Sequence, residues 1–236
     1  MNILKSINAF FTAPQSDPTA TAARNRFNAA SDAFDTEFAA IETYTTRANH
    51  RYTILRLSHS TQDADAYDEV VAQYTDPADF EPYTEEYLDG HTAAIDVLTA
   101  AFDALTAAFV AFSPADHLFK PAAGIYKAST ALYVFATNAY SNAVHCAMTT
   151  ALEGRLQAAK DEFEIDLLQA KAERATAANA ATVNAKLLAL RTSVAKNAAA
   201  AERLEQKATE AEARAEILGA KASSAAAKAE ALEASQ

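Results

Sequence analysis

Tryptophan is absent, cysteine occurs once, and 236 residues include only 4 glycines and 6 prolines. Each shortage closes off a class of structure. The lone thiol, Cys146, cannot form a disulfide within the chain. So few turn-forming residues leave an all-β fold without its turns. Lysine and arginine total 20 against 31 acidic residues, a net charge of −11. The chain therefore lacks the basic footprint that nucleic acid requires, and no nucleic-acid partner is expected.

Recognisable chemistry is missing too. The glycines, Gly90, Gly124, Gly154 and Gly219, stand apart, so no glycine-rich phosphate loop can form. There is no GxSxG elbow. His50, His59, His91, His117 and His145 form no HExxH pair and no close pair at metal-ligand spacing. His145 and Cys146 are adjacent, so on a helix they point in different directions. Cys146 reads as an ordinary small buried thiol. The acidic stretch QDADAYDEV carries Asp63, Asp65 and Asp68 but no glycine, and Tyr74 stands where a calcium loop needs glutamate. It reads as a solvated acidic helix start. No catalytic residue, cofactor or metal is expected, and the protein is not expected to be an enzyme.

What the chain has is helix-forming composition. Alanine is by far the commonest residue, and alanine, glutamate, leucine and lysine are strong helix formers, so the fold class expected is all-α. Its organisation reads as an N-terminal helical bundle followed by a long, alanine-rich, coiled-coil-like helix. Residues 1–16 form a short amphipathic segment, 17–153 the bundle, and 154–236 the long heptad helix.

Helical spacing of Phe27, Phe34, Phe38, Ile41, Ala48, Tyr52 and Leu55 predicts a helix from about Pro18 to Ser58. A short helix is predicted near 62–74, then a loop TDPADFEP. A third covers about 83–113, with Tyr87, His91, Leu98, Phe102, Leu105 and Phe109 on its buried side. Ser113-Pro114 ends it. Residues 128–152 carry no formal charge and could span a bilayer by length. Asparagine, serine, threonine and histidine all round that stretch favour a buried bundle helix. Beyond Pro121 no proline occurs, so one helix, bent at Gly154, could fill the rest. The segment ERATAANAATVNA, 173–185, has almost no bulk and reads as its weakest point, a place to bend or to pack closely.

Charge divides the chain. Thirteen acidic residues and no lysine or arginine lie between Leu57 and Phe119. The tail alternates both signs, as exposed helix surfaces do.

A heptad fits that tail. Leu187, Val194, Ala201, Ala208, Ala215, Ala222 and Ala229 take position a. Position d takes Val183, Leu190, Asn197, Leu204, Ala211, Leu218, Ala225 and Leu232. Leucine recurs every fourteen residues at d, a coiled-coil signal. Leu190, Asn197, Leu204, Ala211, Leu218, Ala225 and Leu232 are thus the expected oligomer interface. Lys207 facing Glu212 and Lys228 facing Glu233 of a second copy would favour parallel pairing. Upstream, Leu152, Leu156, Ala159, Phe163, Leu167 and Ala170 follow a period nearer eleven, which implies a straighter or locally unwound helix.

Ile3, Leu4, Ile7, Phe10 and Phe11 fall on one side of the N-terminal segment. They would dock in a protein groove or lie on a membrane. Lys5 is the segment's only cationic side chain, which favours docking. The stretch INAFFTAPQSDP, residues 7–18, resembles the short first helix and following proline of the membrane-remodelling family typified by phage shock protein A. Those proteins are also long-helix, acidic and self-assembling, so the resemblance implies the membrane alternative. The phenylalanine-rich and alanine-rich remainder departs from their pattern.

The function expected is that of a non-enzymatic structural protein that self-assembles through long helices, such as a virion or phage component or a filament subunit. The alternative is a peripheral membrane-remodelling or membrane-anchored protein. The partner expected is a second copy of the chain, with other structural proteins as further candidates. No signal peptide is recognisable, so a cytoplasmic or virion-assembled location is expected.

Overall fold

A computed structural model of the chain describes residues 18–60, 68–69, 71–112, 119–174 and 177–234. Its long elements are α1 (Pro18–Ser60), α2 (Glu85–Phe112), α3 (Phe119–Ala172) and α4 (Ala177–Ala234). Among the described residues there is no strand, and the fold is all-α. A single turn of 3-10 helix, Pro77–Phe80, precedes α2.

Local chemistry sets the boundaries. Asp76 accepts a hydrogen bond from the Ala78 amide at 2.9 Å, with Pro77 at the first position of the 3-10 turn. Arg51 donates to the Phe80 carbonyl at 3.0 Å and ties this turn to α1. The Thr84 hydroxyl accepts from the Tyr87 amide at 3.1 Å, capping α2 three residues into its first turn. Glu85 and Glu86 then sit where the helix dipole favours negative charge.

Each helix presents a seven-residue repeat inward. On α1 it is Phe27, Phe34, Ile41, Ala48 and Leu55; on α2, Leu88, Ile95, Phe102 and Phe109. On α3, Tyr126, Tyr133, Tyr140 and Ala147 do the same, and on α4, Ala201, Ala208, Ala215, Ala222 and Ala229. The repeats stack into layers. Phe102 lies face to face with Tyr133 at 4.3 Å, and Phe34 closes that layer 6.0 Å away. Phe109 stacks on Tyr126 at 4.5 Å, with Phe27 at 6.5 Å from Phe109. Large rings on three helices face alanine on the fourth, an interlocking of large with small.

The uncharged 128–152 stretch is a core helix; its buried Ser129 hydroxyl has no hydrogen-bond partner, while its other buried hydroxyls do. Thr130 and Thr137 donate to the carbonyls four residues back. The Tyr133 and Tyr140 hydroxyls meet Thr99 and Thr92 at 3.2 and 3.0 Å.

Two expectations about the tail change here. Gly154 does not bend the chain; it lies inside α3, and so does the boundary expected between 153 and 154. The reversal comes at Glu173-Arg174, at the start of the weak segment. Gly154 serves a different end: a Cβ there would stand 3.3 Å from the Ala201 Cβ, so glycine lets α4 approach closely. Helix α4 runs back along α3 in antiparallel sense. Leu204, Ala211, Leu218 and Ala225 are buried, and Leu190, Asn197 and Leu232 half-buried, within one chain. The seam expected between copies is filled by the chain's own α3 and α2. Closing it costs one short turn, whereas pairing two chains forfeits translational freedom as well.

The charges follow the same plan. Arg203 pairs with Glu85 at 3.0 Å, Lys207 with Asp89, Arg214 with Asp96 at 3.4 Å and Lys221 with Asp103 at 2.9 Å. All four pairs are separated by the same 118 residues, so α4 lies parallel to α2 in one register. Across the other edge Arg155 pairs with Glu205, and Lys127 with Glu233 at 2.9 Å. Thus Lys207 and Glu233, expected to bridge two copies, find partners within the chain. Exposed pairs contribute roughly 0.2–1 kcal/mol each, so the ladder selects the register more than it holds the fold.

Candidate functional site

Two regions stand out, one inside the bundle and one outside it. The interior region surrounds His91 on α2. Its ring is fully buried, stacked on Tyr44 at 5.6 Å and met edge-on by Tyr140 at 5.3 Å. Neither ring nitrogen has a hydrogen-bond partner. Burial lowers its pKa from the ordinary 6.5 to about 4, so the ring is neutral near pH 7. Tyr87 stands between His91 and the Arg47 guanidinium, which lies 4.6 Å over the Tyr87 ring. Burial pushes Tyr87 up to about 12, and Tyr83 is raised still further by the same cause.

Cys146 is buried, and burial pushes its thiol up to about 12. That is opposite to the lowered pKa of a thiolate nucleophile. His145 faces outward beside Tyr52, apart from the thiol. The interior therefore holds protonated, neutral groups packed among rings. Among the described residues no three His, Cys, Asp or Glu side chains gather to hold a metal ion. Asp63 and Asp65 lie outside the described residues, and Asp68 is exposed.

His91 makes stability depend on pH in a defined sense. Its folded pKa is depressed, so the unfolded chain takes up the proton first. The contribution is complete above pH 6.5 and is lost as pH falls toward 4. Between pH 7 and 5 it amounts to about 2 kcal/mol. Urea midpoints at these two pH values should show wild type losing about that much more than His91→Phe. Equal losses in the two proteins would show that His91 does not govern the acid response.

The exterior region is the far end of the α3–α4 hairpin. Asn49 on α1 bonds Asn142 on α3 at 3.0 Å, and Tyr52 lies against His145. At that parallel register α1 ends level with about residue 153 of α3, and α2 begins beside Thr150 and Gly154. An open groove of about 470 Å³ marks this rim, lined by Tyr83, Glu85, Thr150, Gly154 and Asn197 among others. Beyond it, among the described residues, only α3 and α4 continue, projecting ~30 Å as a two-helix arm.

The inner face of the arm is apolar, with Ala158, Ile165 and Leu187 buried. Its outer face is apolar as well. Leu152, Leu156, Phe163 and Leu167 are 67%, 56%, 67% and 48% exposed. Ala159 and Ala170 are exposed on the same side. These six are the residues whose eleven-residue period broke the heptad. At about 100° per residue they occupy an arc of roughly 80°, turned away from α4. Sequence reasoning found the period but read it only as a straighter or locally unwound helix.

No protein-family model, curated protein or solved structure matches the chain.

The segment carrying Ile3, Leu4, Ile7, Phe10 and Phe11 lies outside the described residues. Among the described residues one helix, α2 over Glu85–Ala111, is long and apolar enough to cross a membrane. Its Leu88, Ile95, Phe102 and Phe109 face the core, while Asp89, Asp96 and Asp103 pair with α4.

Proposed function

We propose that the protein is a non-enzymatic structural element that assembles with copies of itself through its long helices. One observation carries this reading: the arm leaves a row of large apolar side chains, Leu152, Leu156, Phe163 and Leu167, open to water. Single exposed apolar residues are ordinary, but a contiguous stripe on a projecting element is a feature of interaction surfaces. Such a design, a packed head with a projecting element that meets neighbours, would suit a subunit of a filament or of a virion.

Light scattering across a concentration series, joined to negative-stain imaging, tests the reading. A mass that climbs above the 25.1 kDa of one chain, with regular particles, is the expected result. A mass that stays at one chain throughout would sink it.

A further inference from the structure

We propose that the arm of one molecule pairs with the arm of a second copy, antiparallel and about a two-fold axis near the middle of the outer stripe. The proposal rests on the self-assembly reading and names its surface, partner and direction.

Shape is the first observation. The stripe runs Leu152, Leu156, Ala159, Phe163, Leu167, Ala170. Turned end for end about a point near residue 161, it sets Phe163 opposite Ala159 of the second copy. Leu152 then stands opposite Ala170, and Leu156 opposite Leu167. Large residues meet small ones, and the only like pair is leucine on leucine. A parallel, in-register pair would set Phe163 on Phe163 and alanine on alanine, alternately crowded and empty. Two-fold symmetry requires such a self-complementary patch, in which residue i meets j and j meets i.

Charge is the second observation, and it selects the same direction. Glu153, Lys160, Glu164 and Lys171 are exposed along one edge of the stripe. In an antiparallel pair like edges meet. Glu153 then faces Lys171 of the second copy, and Lys160 faces Glu164 of the second copy. Symmetry makes each pair twice. The signs alternate so that the same edge, reversed, is its own complement. The arm needs no rearrangement, because α4 covers the opposite face of α3 and leaves this one open.

Size sets the strength. The stripe offers several hundred Å² per copy, less than the roughly 800 Å² per partner of a standard interface. Association is therefore reversible and concentration-dependent. An isologous contact also closes on itself, so the arm makes dimers, and larger assemblies would be built from those dimers.

Sedimentation equilibrium of the full chain provides the test, with circular dichroism as the control for folding. Wild type should shift from one to two chains as concentration rises. Leu156→Glu with Phe163→Glu alters only exposed positions, so helix content should hold while the dissociation constant rises at least tenfold. Glu153→Lys with Glu164→Lys should also weaken pairing, by setting lysine against lysine. Adding Lys160→Glu and Lys171→Glu to that variant restores the complement and should restore pairing. Wild type that stays monomeric overturns both this proposal and the self-assembly reading. Self-association that survives Leu156→Glu/Phe163→Glu overturns the arm contact alone and leaves self-assembly standing. Failure of the four-charge variant to recover overturns the antiparallel direction.

Discussion

Replacing Leu218 with aspartate should unfold the four-helix bundle. Leu218 on α4 is 6% exposed, and its neighbours along the seam, Ala215 and Ala222, are buried with it. A carboxylate there would lose water and gain no partner. The deleted apolar volume alone costs 2–5 kcal/mol by comparison with leucine truncations, and the buried polar group adds roughly 1–3 kcal/mol. Together these approach the whole stability of an ordinary domain, about 5–15 kcal/mol. Far-ultraviolet circular dichroism and a urea titration read the outcome. Loss of the cooperative transition over the whole chain is expected. A variant whose α1–α3 core still melts as in wild type, with only its mass altered, would show that the seam lies between chains after all.

Phe102→Ala should be almost as damaging, from the opposite wall of the core. Its ring is 2% exposed and touches three others: Phe34 at 6.0 Å, Tyr126 at 6.4 Å and Tyr133 at 4.3 Å. Truncation removes the contacts of one layer and leaves a cavity between α1, α2 and α3. Phenylalanine-to-alanine changes in well-packed cores cost about 3–5 kcal/mol. Phe135→Ala is the matched control. That ring is 48% exposed and meets only the edge of the bundle, near Phe38. Its loss should stay within about 1 kcal/mol. Similar urea midpoints for the two variants would contradict the layered core.

Helix positions were readable because the chain writes them in periodic apolar residues and marked breaks. The helix expected from Pro18 to about Ser58 runs from Pro18 to Ser60, and that expected over 83–113 runs from Glu85 to Phe112. The inner face of α4 was also readable: the a and d positions from Ala201 to Ala229 are the buried ones. Its partner was not. A heptad states which face seeks cover, and a second copy or the same chain satisfies it equally. The hairpin turn was announced only by lack of bulk: it falls at the start of the segment 173–185 read as a place to bend, and Glu173-Arg174 holds neither glycine nor proline.

One signal for the intrachain partner did exist. Asp89, Asp96 and Asp103 recur every seven residues, and so do Lys207, Arg214 and Lys221. The acidic middle reads alone as a solvated surface, and the tail's cations read alone as bridges to another copy. Set side by side, the two rows share one spacing and opposite sign. The interior of the His91 cluster was harder to foresee. A histidine on an apolar helical face gives no hint whether its nitrogens will find partners, and here they do not.

The unequal lengths of the helices also make the molecule a ruler. Helix α3 has 54 residues, which is ~80 Å of rod. The end of α4 lies beside Lys127, near the start of α3, so a label at residue 234 would sit far from the tip. If two such rods overlap by ~30 Å at their tips, the labels, each level with the stretch of α3 near Lys127, should lie ~105 Å apart, and the two rods together should span ~130 Å. Scattering would then report a longest dimension that grows by more than half on pairing, while the girth of each head stays the same. On the proposed arm pairing the particle would lengthen without thickening, giving a thin, two-headed outline.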